Sequence, residues 1–102
     1  RYHFMWSEGN WTDGSYRVVT ADSDSPFTFN GPKRTILAAQ ALADGPGHHS
    51  CIALNDNDEW LIAYHRRIPG DSEAGHRMLC LDKMVFEEDQ IQPVLMTEAM
   101  SL

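Results

Sequence analysis

The stretch SCIALNDNDEWLIAYH, residues 50–65, contains two short apolar runs, 50–54 and 60–65, on either side of Asn55, Asp56, Asn57 and Asp58. Asn and Asp side chains hydrogen-bond their own backbone two residues on and tolerate left-handed conformations, so four in a row mark a turn. The flanking runs are too short for a buried helix and carry strand-forming side chains. Residues 50–65 therefore read as an antiparallel hairpin. Downstream, Pro69-Gly70 leads to a third run at residues 78–84, and Glu87 through Asp89 separates it from a fourth at residues 91–96. Four antiparallel strands in succession make one blade of a β-propeller.

Upstream the same grammar continues. Residues 2–7 are an aromatic run, residues 16–21 are β-branched and alternating, and residues 35–39 form a shorter apolar segment. Breakers separate them at Gly9-Asn10 through Asp13-Gly14, at Ser23 through Pro32, and at Asp44 through Gly47. The nearest helical candidate, residues 35–43, is short and runs into Asp44-Gly45-Pro46-Gly47. The predicted class is all-β. The three earlier strands read as a second blade lacking its first strand, so residues 1–44 are expected to form an incomplete blade and residues 45–102 a final one.

At 102 residues the chain is one small domain at most. It opens on Arg1 and leads at once into the apolar run, which suggests a cut through a larger protein. Fifteen acidic residues against eight basic ones give a formal charge of −7. That balance argues against a nucleic-acid backbone or an anionic membrane surface as partner and favours a neutral ligand by elimination. No apolar run approaches the roughly 20 residues of a membrane-spanning helix. Cys51 and Cys80 would sit on the first and third strands of a meander, about 9–10 Å apart. That is too far for a disulfide, and both read as small buried apolar residues.

Three stretches carry polar chemistry. In WSEGNW, residues 6–11, a single carboxylate lies between two indoles at the end of a strand. Burial against aromatic surface would raise the pKa of Glu8 toward that of a general acid; the alternative is a strand ending at a Glu before a glycine turn. In GPGHHS, residues 45–50, the glycines allow close backbone approach, while His48 and His49 would point to opposite faces of an extended chain. They cannot chelate one metal together unless the strand bulges. Tyr64-His65-Arg66-Arg67 ends a strand as either a solvated rim or a guanidinium fork for ligand hydroxyls. Asn10-Trp11-Thr12 fits the glycosylation pattern but reads as a chance match.

Taken together, WSEGNWTDGSYRVVTADSDSP, GPGHHS, DEWLIAYHRR, HRMLCLDKMVF and IQPVLMT resemble, in order and spacing, the C-terminal part of the catalytic domain of glycoside hydrolase family 43. The resemblance implies the last two blades of a five-bladed propeller from a secreted enzyme of the arabinofuranosidase or β-xylosidase type, acting on plant cell-wall polysaccharide. It implies that Glu8 is the general acid of an inverting reaction. It also implies that Trp6, Trp11 and Arg66 contact substrate, although the motif does not choose between Arg66 and Arg67. His48 would lie near the propeller axis and help hold a calcium ion, often through water, with His49 facing away. Inverting enzymes separate their two carboxylates by roughly 6.5–9.5 Å. In the family the base and a second Asp come from earlier blades, which nothing here matches; Asp13, Asp22 and Asp24 lie in the blade of Glu8. The chain alone is expected to hydrolyse nothing and to need the remaining blades, in the same or a companion chain. A carbohydrate-binding or interaction propeller without catalysis is the alternative.

Overall fold

The computed structural model describes residues 1–98 apart from Trp11, Asn30, Asp58 and Ser72. These residues form two three-stranded antiparallel sheets and a two-stranded ribbon. The first sheet holds β1 (Tyr2–Glu8), β2 (Arg17–Ser23) and β3 (Arg34–Leu37) in that order. The second holds β4 (Asp44–Ala53), β5 (Trp60–Arg67) and β6 (Met78–Met84). A ribbon of β7 (Phe86–Glu87) and β8 (Gln90–Ile91) follows, and the only helical turn among the described residues is Ala74–His76.

The hairpin at residues 50–65 forms as its turn chemistry requires. Asn55 accepts a hydrogen bond from the Asn57 backbone at 2.8 Å, and Leu54 N–H donates to the Glu59 carbonyl at 2.8 Å to close the turn. Ser50, Cys51, Ile52 and Ala53 pair with Ala63, Ile62, Leu61 and Trp60. β4 begins six residues before the expected start, because the glycine-rich entry is a bulged strand. Its register shifts between Asp44 and Gly47 and again between Gly47 and Ser50. Gly45 and His48 take positive φ values of 59° and 52° there, which turns the backbone at each bulge.

β1 presents two different faces, as alternation demands. His3, Met5 and Ser7 meet the second sheet and its ribbon: His3 against Phe86, Met5 against the Cys51 sulfur, Ser7 against the backbone of His48. Phe4, Trp6 and Glu8 face the other way, and the β2–β3 loop folds over them. The core lies in the seam between the sheets, where Val18, Ile36 and Leu37 meet Ile62, Tyr64 and Met84. Each such side chain contributes about 1.5–3 kcal/mol when fully buried.

Two expectations need correction. Residues 91–96 are not a fourth strand of the second sheet. After Ile91 the chain crosses to the first sheet, where Val94 N–H donates to the Ile36 carbonyl at 2.7 Å. The Gln40 amide donates to Val94 O at 3.0 Å and accepts from Met96 N–H at 3.3 Å, while Arg34 donates to Ile91 O at 3.0 Å. Pro93 lacks the N–H that a ladder position needs, and Ile91, Val94 and Met96 complete the inter-sheet core. The cysteines also differ: Cys51 is exposed and Cys80 partly so, because the far end of β4 is an uncovered edge. They stand on the outer strands with β5 between them, and both are free.

Candidate active site

Glu8 is the last residue of β1, and the turn that follows is built to end the strand there. Gly9 has φ +88°, and a side chain at this position would place its Cβ 2.2 Å from the Ser15 carbonyl oxygen. Ser15 Oγ accepts from Asn10 N–H at 2.9 Å, and the Asp13 carboxylate accepts from Ser15 N–H at 2.9 Å. The turn therefore brings Arg17 opposite Glu8 in the ladder.

The Glu8 carboxylate is partly enclosed and fully engaged. Lys33 Nζ donates to both oxygens at 3.0 Å, Arg17 Nη2 to Oε1 at 3.0 Å, and the Trp6 indole N–H to Oε2 at 3.0 Å. The Lys33 hydrogen bonds, then that of Trp6, hold its pKa below the ordinary carboxylate range, and partial burial does not overcome them. This reverses the expected shift. Trp6 stands beside the acid as anticipated, but it acts on the carboxylate as a hydrogen-bond donor.

A second group of side chains adjoins this one. Ser7 Oγ accepts from His48 N–H at 3.1 Å, linking the end of β1 to the bulge of β4. The His48 ring lies 6.0 Å from that of His65, and Tyr16 stacks on His65 at 5.9 Å with 9° between planes. Gly47 permits this arrangement, since a Cβ there would meet the Tyr16 ring at 2.1 Å. His48, Ser50, His65, Arg77 and Leu79 line an open cavity of about 280 Å³. Burial, then the charges of Arg77 and Arg67, depress the pKa of His65, and burial depresses that of His49.

The residues around His48 do not make a calcium site on their own. Calcium takes six to eight oxygen ligands, whereas the polar side chains of the residues lining this cavity are two imidazoles, the hydroxyls of Ser50 and Tyr64 and a guanidinium. Among the described residues no three of His, Cys, Asp and Glu converge.

Glyco_hydro_43, the model of the family described as glycosyl hydrolases family 43, matches residues 1–91. The chain belongs to glycoside hydrolase family 43. It is 40% identical over 100 residues to the beta-D-galactofuranosidase xynD of Aspergillus niger, an alignment covering 94% of this chain and 29% of that protein. Its fold matches the crystal structure of a thermostable family-43 glycoside hydrolase with a TM-score of 0.75 and 25% identity, over 99% of this chain and 33% of the other. The chain thus spans about a third of the length of these relatives, and its sheets are a fragment of the family-43 propeller.

Within the family-43 fragment, Arg66 departs from its expected place at a cleft rim. It is 5% exposed and donates to the Thr97 carbonyl at 2.7 Å and toward the Tyr64 hydroxyl at 3.5 Å. Tyr64 and Thr97 in turn donate to the two oxygens of buried Asp82 at 2.6 and 2.5 Å. Arg66 therefore ties the chain's last described segment to the second sheet. Trp11 lies outside the described residues, while Asn10 and Thr12 on either side of it are described: Asn10 Oδ1 accepts from Thr12 N–H at 2.9 Å and from the Thr12 hydroxyl at 2.6 Å. Sequence reasoning missed Arg17, Lys33 and Tyr16. Arg17 was within reach, because a hairpin closing on Gly9 makes Glu8 and Arg17 its first pair. Lys33 left no such signal, since it reaches Glu8 across 25 residues through the shape of a loop.

Proposed function

We propose that this family-43 chain contributes the proton donor, Glu8, to a glycoside hydrolase that acts on furanosyl linkages. The supporting observation is the junction at the end of β1. A carboxylate with an indole donor on one oxygen sits one residue from Ser7, whose hydroxyl anchors the histidine-bearing bulge of the other sheet. In the inverting reaction protonated Glu8 gives its proton to the glycosidic oxygen as the bond from the anomeric carbon breaks. A water deprotonated by a second carboxylate attacks the opposite face. That second carboxylate belongs to the remaining blades, so the chain alone is inactive. Exposed apolar side chains such as Ile52 and Leu79 on the outer face of the second sheet support such blades as its covering.

The relative named for galactofuranosides favours a five-membered sugar ring here, and an arabinofuranosyl linkage over a xylosyl one. Glu8→Gln in the protein carrying the remaining blades should abolish turnover of substrates with poor leaving groups while leaving sugar affinity in place. Full turnover by that variant would remove Glu8 from the mechanism. The cations on Glu8 favour a second reading, a carbohydrate-binding propeller without catalysis. That reading expects wild-type protein to bind arabinofuranosides and hydrolyse none.

A further inference from the structure

Asn10, Trp11 and Thr12 fit the Asn-x-Thr pattern of an N-glycosylation acceptor. As a chance match the pattern could fall in a strand or against the core. It falls instead in the turn between β1 and β2, where Asn10, Thr12 and Asp13 are all exposed. The turn engages the polar atoms of Asn10 in sequence. Its N–H donates to Ser15 Oγ at 2.9 Å, and its carbonyl accepts from Asp13 N–H and from the Ser15 hydroxyl, each at 3.4 Å. Its Oδ1 accepts from both the N–H and the hydroxyl of Thr12. A backbone N–H can only donate, so Thr12 fixes which end of the Asn10 amide turns inward. The other end, Nδ2, makes no hydrogen bond to any described residue.

We propose that Asn10 is an N-glycosylation acceptor, and that the folded turn carries the glycan without rearrangement. The acceptor pattern needs a hydroxyl two residues after the asparagine, and here the two side chains are in contact on one side of the turn. In the transfer, Asn10 Nδ2 attacks the anomeric carbon of an oligosaccharide held on a lipid diphosphate. The bond from that carbon to the diphosphate oxygen breaks, the lipid diphosphate leaves with the electron pair, and Nδ2 gives one proton to a base of the transferase. The product is still an amide, so Oδ1 keeps both of its bonds from Thr12 and the turn keeps its shape. The close approach of Gly9 to the Ser15 carbonyl is untouched, because the sugar leaves from an exposed side chain. Donor and transferase belong to the eukaryotic secretory pathway, and passage through it is part of the proposal. The role of Glu8 is not: its partners are Trp6, Arg17 and Lys33, none of which bonds Asn10 or Thr12.

The test is to express the protein carrying the remaining blades in a yeast or filamentous-fungal host behind a secretion signal. Protein from the medium and from the endoplasmic reticulum is treated with peptide N-glycosidase in oxygen-18 water, which converts a glycosylated Asn to a labelled Asp, and the peptide containing residue 10 is read by mass spectrometry. Reading both pools keeps the result independent of how well a variant folds. Most of the wild-type peptide should carry the label. Thr12→Ala should lose it, and Thr12→Ser, which restores the hydroxyl, should recover it. An unlabelled Asn10 in both pools overturns the proposal, and so does label that survives in Thr12→Ala, which would be deamidation. The urea midpoint of the glycosylated protein should equal or exceed that of the same protein made without glycan in bacteria. A lower midpoint would mean that the turn is broken by its sugar, which overturns the placement on a preserved turn.

Discussion

Replacing Gly47 with Ala tests how the two sheets are fitted together at the site. The added Cβ would sit 2.1, 2.5 and 3.0 Å from three carbons of the Tyr16 ring. Ordinary contacts begin near 3.4 Å, so the ring or the strand must retreat by more than an ångström. Retreat is opposed, because Tyr16 is stacked on His65 of the neighbouring strand and Gly47 is paired with that same His65. Overpacking of this kind costs about 1–3 kcal/mol. The clash is with one side chain, which makes it separable. In a Tyr16→Ala background the space is open, and Gly47→Ala should be neutral or stabilise by about 0.4–1 kcal/mol through the unfolded chain. Urea unfolding followed by tryptophan fluorescence on the four proteins of the cycle gives the coupling directly, with the midpoint and slope read separately. A coupling of at least about 1 kcal/mol is expected. If Gly47→Ala costs the same with and without the Tyr16 ring, the close approach is not what requires glycine there.

The buried network at the chain's end should be sensitive to its acceptor. Asp82→Ala leaves the buried Tyr64 hydroxyl without its acceptor and should cost about 1–3 kcal/mol by urea unfolding, while the exposed Thr97 hydroxyl can turn to water. Tyr64→Phe, which removes one donor and leaves Thr97 bonded, should cost about 0.5–1.5 kcal/mol. Stability should also fall as pH drops through the histidine range. His49 and His65 are held below their ordinary pKa by burial, so below about pH 6.5 the unfolded chain binds protons that the folded chain refuses. Their replacement by Gln should flatten the urea midpoint between about pH 7.5 and 5. Loss of the Glu8 contribution comes in a separate, more acidic window, because its folded pKa is depressed below the ordinary carboxylate value.

The strands were legible because their punctuation is local. Asn55 to Asn57 forms its turn from its own side chains, and the hairpin around it follows. The antiparallel class and the approximate position of each strand up to Met84, apart from the bulged entry of β4, could be read for the same reason. The path of residues 91–96 could not. An apolar run read in isolation cannot say which sheet it will join, and here the choice was made by Gln40 and Ile36, more than fifty residues upstream. Pro93 was the one local warning against a ladder position.

The site divides along the same line. Glu8 and Trp6 were identifiable as a pair because alternation in a strand puts residues two apart on one face, and the structure keeps them together. The direction of the pKa was not, because aromatic neighbours act in two opposing ways: an indole face desolvates a carboxylate and raises its pKa, while an indole N–H bonds the charged form and lowers it. Which one wins depends on a side-chain rotation that no spacing encodes. In this chain the outcome is tipped further by Lys33, brought in by a loop whose shape depends on serine hydroxyls and on Phe29 landing on Trp6.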